Sequence, residues 1–157
     1  MRITEYEFAE EPAGELYRRL VDYMGTRAHS FSLALVRPEF KNPNRLRILD
    51  RLKPFQLRLE QTRKWGDTVL APRHTAFLIE YRVAPESLAI LRDEASGLYA
   101  WHAPDYPDDL SFYRSDRTPL LSSTAHEKEA RLTLTSDEHA DVVATIPQLV
   151  LKRVLAN

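Results

Sequence analysis

Trp101–Glu127 reads W-H-A-P-D-Y-P-D-D-L-S-F-Y-R-S-D-R-T-P-L-L-S-S-T-A-H-E. Pro104 and Pro107 stiffen its opening loop. Leu110 to Arg114 then reads as a strand, Ser115-Asp116-Arg117 as a turn and Leu120 to Thr124 as the returning strand. The stretch closes on His126-Glu127. A loop, a hairpin and a dense set of acids and aromatics therefore share 27 residues, which points to a specific surface as well as to an antiparallel sheet.

The flanking sequence supplies the remaining elements. Thr75 to Val83 (T-A-F-L-I-E-Y-R-V) is apolar and β-branched through its centre, as in an interior strand. Ala84-Pro85-Glu86-Ser87 opens a helix carrying Leu88, Ile90, Leu91 and Ala95, with Gly97 as its stop. Nearer the N-terminus, Ile3, Tyr6 and Phe8 suit a half-exposed strand. Leu16, Tyr17, Leu20, Val21 and Met24 recur at helical spacing between Pro12 and Gly25. Phe31, Leu33 and Leu35 alternate in a strand that Pro38 stops, as at a sheet edge. Residues 44–65 read as a short helix followed by a strand, with one helix kinked at Pro54 as the alternative. Downstream, Arg131 to Thr135 gives a strand, Ser136-Asp137-Glu138 caps a helix, and Ile146 to Leu155 closes the chain as helix or strand. This order predicts a single α+β domain over residues 1–157, a mainly antiparallel sheet with about three helices packed against it.

Composition limits the function classes. The 157 residues suit one core, and 43% hydrophobic with 29% charged residues is an ordinary globular balance. Twenty-two Lys and Arg against 23 Asp and Glu leave a formal net charge of -1, which gives no global attraction to nucleic acid. The lack of cysteine removes disulfides, thiolate catalysis and Cys-ligated zinc. No run is apolar enough to span a membrane, and M-R-I-T-E-Y-E-F lacks the marks of a signal peptide, so the expected location is cytoplasmic.

Established catalytic motifs are missing. Glycines 14, 25, 66 and 97 are too dispersed for a phosphate or dinucleotide loop, and there is no G-x-S-x-G elbow. His126-Glu127-Lys128-Glu129-Ala130 starts like a zincin helix but has alanine where the second histidine belongs. His102, Asp105, Asp108, Asp109 and His126 include metal-ligating types, yet Asp residues between prolines more commonly cap turns. No metal and no cofactor are expected. His126 with Asp109 or Glu127 forms the candidate catalytic set for a small hydrolase, and a structural histidine is the competing reading. Trp101 and Tyr106 are candidate binding aromatics, while Phe112 reads as core. The basic cluster Arg45, Arg47, Arg51, Lys53, Arg58, Arg63 and Lys64, diluted by Asp50 and Glu60, reads as a solvated face.

The arrangement Trp101-x-x-Pro104-x-x-Pro107-x-Asp109-Leu110-x-Phe112-Tyr113, then Leu121-x-Ser123-x-Ala125-His126-Glu127, resembles a family of small uncharacterised bacterial proteins. That family carries a tryptophan, a P-E-D-L-C-F-like strand and a final S-x-A-H-E. Trp65-Gly66-Asp67-Thr68 is similar to its W-P-G-T turn without the proline. Asp108 stands for the usual glutamate and Ser111 for the usual cysteine. The resemblance covers roughly residues 60–140 and implies an immunity protein of a polymorphic toxin system, which neutralises a cognate toxin by stoichiometric binding. Trp101, Asp105, Tyr106, Asp108 and Asp109 are the contact residues expected on that reading. A structural or regulatory module, marked by homo-oligomer formation without a foreign partner, is the third expectation.

Overall fold

A computed structural model describes residues 2–39, 41–66 and 68–155. The strands and helices run in the order β1 (Ile3–Phe8), α1 (Glu15–Arg27), β2 (Ser30–Val36), α2 (Pro43–Leu52), β3 (Gln56–Thr62), β4 (Lys64–Trp65), β5 (Thr68–Val69), β6 (Ala76–Arg82) and α3 (Pro85–Glu94). They continue as β7 (Asp108–Tyr113), β8 (Pro119–Thr124), β9 (Glu129–Thr135), α4 (Ser136–Thr145) and β10 (Leu151–Arg153). Eight strands form one sheet in the order β10-β1-β9-β8-β7-β2-β6-β3, and every pairing in it is antiparallel. β4 and β5 form a separate two-stranded ladder. The fold is α+β, with four helices among the described residues.

Local chemistry explains most boundaries. Asn42 caps α2 by accepting from the backbone N–H groups of Asn44 and Arg45, and Pro43 fills the first helical position, where no N–H is needed. Pro54 ends that helix in a 3-10 turn over Lys53–Phe55, after which β3 begins; helix plus strand, not a kinked helix, occupies this region. Thr135 caps α4 one residue before the expected Ser136, and Glu138 completes a capping box. In α1 neither predicted boundary holds. The helix starts at Glu15, and Gly25 lies inside it, because α3 packs so close that a Cβ there would fall 2.2 Å from a Leu88 methyl. β2 lies between β7 and β6 in the sheet interior, not at an edge; Pro38 falls just beyond its last residue.

Period-two patterning sends one side of the sheet into the core. Phe31, Leu33, Ile79, Tyr81, Leu110, Phe112, Leu121, Leu132 and Leu134 are buried there with Tyr17, Leu20 and Met24 of α1 and Leu91 of α3. Trp101 is wholly buried in the same core. Its indole Nε1–H donates to the Tyr17 hydroxyl at 2.9 Å, and that hydroxyl donates to the Leu91 carbonyl at 2.6 Å, so neither polar group is left unsatisfied. The opposite side of the sheet is polar over β1 and β9, where Arg131 pairs with Glu5 and Glu7. Over Ala34 and Ala76 it is covered by Trp65, with Val36, Leu70 and Leu78 alongside. The β4-β5 ladder is thus a flap folded across the second face.

Phe112 contacts Phe31 at a ring-centroid distance of 5.7 Å and has no exposed surface. Phe112→Ala is expected to lower unfolding stability by about 3–5 kcal/mol in urea denaturation. A loss under about 1 kcal/mol would contradict a core centred on these strands.

Candidate functional site

The β7-β8 hairpin brings both ends of the Trp101–Glu127 stretch to one end of the sheet, since the start of β7 lies beside the end of β8. The 102–107 loop and a 3-10 turn over Ala125–Glu127 therefore sit at the same end. Asp109 joins them. Ser111 of β7 is opposite Ser32 of β2, and Asp108 opposite Ala34, so β7 carries one more residue than β2 between these pairs. This is a β-bulge, and Asp109 adopts φ 62° within it, a left-handed conformation that Asp tolerates better than most residues.

The bulge aims the buried Asp109 carboxylate at two donors. Oδ2 accepts the Trp65 indole N–H at 2.9 Å and Oδ1 accepts the Ala125 backbone N–H at 2.9 Å. One side chain thereby pins the flap across the sheet and the turn that carries His126 and Glu127. Ser123 reinforces the hairpin by donating to the Leu110 carbonyl at 2.7 Å. Trp65, Asp109 and Ala125, three positions of the motif segments read from the sequence, meet at this carboxylate, and Ser123 braces the hairpin beside it. Burial raises the Asp109 carboxyl above the ordinary aspartate range, while its hydrogen bonds to Trp65 and Ala125 pull it down.

Asp108 has a different environment. Its Oδ1 accepts the Ala103 N–H at 3.0 Å, which is the turn-capping role expected of an Asp between prolines. Its Oδ2 is buried with no hydrogen-bond partner among the described residues. Burial raises this carboxyl from 3.8 to about 6; the neighbouring Asp109 charge acts in the same direction, and the Ala103 N–H, His102 and Arg45 oppose it. Arg45 departs from the solvated face expected of the basic cluster. It is 1% exposed and donates to the Val36 and Arg37 carbonyls at 2.9 and 3.0 Å, tying α2 to the chain beyond β2. Arg47 and Arg51 of the same cluster converge on Glu94.

The expected contact residues thus occupy distinct settings. Trp101, Asp108 and Asp109 are internal, and Trp101 offers no surface to a partner because the core covers its whole ring. Tyr106 is half-buried, packed edge-on against Trp101 and donating to the Glu94 carbonyl at 2.7 Å. Asp105 is exposed and accepts from the Asn42 side chain at 3.0 Å, while its carbonyl accepts from Asn44. These asparagines of α2 were not distinguishable from ordinary loop residues in the sequence. Trp65 had read only as a turn residue; a tryptophan beside glycine in so short a turn was the one hint that its ring packs on the sheet.

For the candidate catalytic set, strand geometry ends at Thr124, so His126 and Glu127 do not alternate across a sheet. They lie on the turn with Nε2 and Oε1 3.7 Å apart, and both side chains are more than half exposed. A solvated contact of this kind contributes about 0–1 kcal/mol. Asp109 lies beneath the turn, but its oxygens already accept from Trp65 and Ala125, so using it as a base requires giving up one of those bonds. Sizeable hollows lie elsewhere: about 370 Å³ between α1 and α4 around Tyr23 and Asp141, about 400 Å³ beside Arg2, Glu5 and Thr133, and about 370 Å³ beside Arg37, Arg73 and His74. His102 contacts the Ala103 carbonyl and His139 stacks on Tyr6. Among the described residues, no group of three or more His, Asp or Glu side chains is arranged to hold a metal ion. None of their helices is long and apolar enough to cross a membrane.

No family model matches the chain, and no curated protein or solved structure is significantly similar to it.

Because the folded Asp108 carboxyl holds its proton more tightly than the unfolded one, its stabilising contribution is complete below about pH 4 and is lost as pH rises through about 6, a change of about 3 kcal/mol. Asp108→Asn is therefore expected to flatten the pH dependence of unfolding free energy between pH 4 and 7.5 by roughly that amount. An identical slope in the variant and the native protein, measured by urea denaturation, would refute this assignment.

Proposed function

We propose that this chain is a cytoplasmic binding protein that acts by forming a stoichiometric complex, as an immunity-type inhibitor of a bacterial toxin. One observation carries the reading: exposed Asp105, on the 102–107 loop, and exposed His126 and Glu127, on the turn after β8, lie at the same end of the sheet, and both loops are tied to buried, hydrogen-bonded residues. A surface held this way loses little conformational freedom when a partner docks, so more of the contact energy appears as affinity. The acids nearest to catalytic arrangement instead hold the fold, which supports recognition over turnover.

The aromatic residues of the segment are internal, so they do not supply the centre of the contact. Val69, 66% exposed, is an apolar residue on the flap that Asp109 pins, and Leu46, 47% exposed, is one on α2 next to the Asn42 and Asn44 that hold Asp105. The complex is then led by charge, with fast encounter and marked sensitivity to salt. Asp105 and Glu127 form its acidic elements and Lys128 its basic one.

The test is to look for a toxin gene adjacent to this one and to co-express the two, followed by pull-down and a growth-protection assay. Complex formation and protection are expected from the native chain. Paired Asp105→Lys and Glu127→Lys changes should weaken binding by about tenfold or more at low salt, with the fold retained by circular dichroism. Absence of both complex and protection would overturn the proposal, and undiminished binding by the paired variant would remove this surface from it.

A further inference from the structure

The two edges of the eight-stranded sheet differ in kind. β10 has three residues, Leu151–Arg153, and two of them are Lys152 and Arg153. A short edge bearing like charges resists pairing with a copy of itself. β3 at the opposite edge has seven residues, Gln56–Thr62, and β6 is its sole neighbour in the sheet. Pro54 falls before it, and no proline interrupts it. Leu57 and Leu59 are 46% and 54% exposed, which is unusual for leucines on a strand whose neighbour helps form the core.

The order of residues in β3 is self-complementary. In an antiparallel pair of β3 strands centred on Leu59, Leu59 lies opposite Leu59 of the other copy. Arg58 then lies opposite Glu60, and Glu60 opposite Arg58. Leu59 is in register with Ile79 and shares its core-side face, whereas Arg58 is in register with Glu80 on the other face. The leucines of two copies would therefore meet on one side of the joined sheet. The two Arg58–Glu60 pairs would meet on the other. Within one chain Arg58 and Glu60 already pair at 3.0 Å with both side chains over 40% exposed, so they can exchange partners without uncovering a buried charge. The single irregularity of β3, a bulge between Gln56 and Arg58, lies outside the central Arg58-Leu59-Glu60 triplet.

We propose that β3 is a self-association edge, and that two copies of this chain join through it about a two-fold axis at Leu59. The strand edge supplies unsatisfied backbone donors and acceptors, Leu59 supplies the apolar contact, and the paired charges fix the register. The other edge is blunted, so association stops at two copies and does not propagate into a filament. The end of the sheet bearing Asp105, His126 and Glu127 is not part of this contact, so the proposal stands apart from the toxin-binding reading.

Sedimentation velocity of the full chain over a broad concentration range tests it. The native protein should shift from monomer to dimer mass as concentration rises. Glu60→Arg alone or Arg58→Glu alone turns two attractive cross-strand pairs into repulsive ones, and each should weaken dimerisation by about tenfold. Mixing these two variants restores Arg opposite Glu at both positions and should recover a mixed dimer of native strength. The charge-swapped double variant should also dimerise. Circular dichroism confirms that each variant folds. A native chain that remains monomeric, a dissociation constant indifferent to either single reversal, or a mixture no stronger than its parts would overturn the proposal.

Discussion

The carboxylate of Asp109 accepts one hydrogen bond from an indole on a flap and one from the backbone of a distant turn. With the carboxylate ionised, both are charge-assisted, each worth roughly 1.5–3 kcal/mol where water is excluded. The bulge that turns Asp109 toward these donors requires a positive φ, and burial of the carboxylate opposes its ionisation. Both costs are offset by fixing three segments far apart in sequence: the β4-β5 flap, the start of β7 and the turn after β8. Without this link, Trp65 would lose the partner of its indole N–H, and the turn carrying His126 and Glu127 would lose its anchor.

The rest of the loop end builds on this junction. Asp108 caps the 102–107 loop, and Trp101 at the beginning of that loop is bound into the core through Tyr17 and Leu91. Arg45 secures α2 to the carbonyls after β2, and Asn42 and Asn44 of the same segment meet Asp105. Groups that resemble an active site in composition thus serve to hold loops in place. On the proposed reading, the exposed Asp105, His126 and Glu127 at this end are what meets the partner.

The antiparallel α+β architecture was legible because the nearly continuous apolar run in Thr75–Val83 and the strand-turn-strand pattern of Leu110–Thr124 gave strands, and the 3.6-residue spacing from Leu16 to Met24 gave a helix. The errors have physical causes. Gly25 reads as a terminator locally, but it lies inside α1, where its missing side chain leaves room for a Leu88 methyl. Pro38 reads as an edge signal, yet the strand before it is flanked on both sides by partners that sequence spacing does not disclose. Arg45 is indistinguishable from its solvated neighbours in the sequence, because only its position on α2 relative to the Val36 and Arg37 carbonyls buries it. For the site, Trp65, Asp109, Ser123 and Ala125 were visible only as positions in a residue pattern. Their mutual contacts were not, since a bulge displaces Asp109 from ordinary alternation.

The junction at Asp109 is tested most directly by a double-mutant cycle in urea denaturation, comparing Trp65→Phe, Asp109→Asn and the double variant. Removing the indole N–H or one carboxylate acceptor should each destabilise the protein, and the double variant should lose less than the two losses added together. The expected coupling is about 1–3 kcal/mol, the range for a buried hydrogen bond to a charged group. Additive losses, with coupling near zero, would show that Trp65 and Asp109 act independently and would contradict the account of a flap and turn held by one carboxylate.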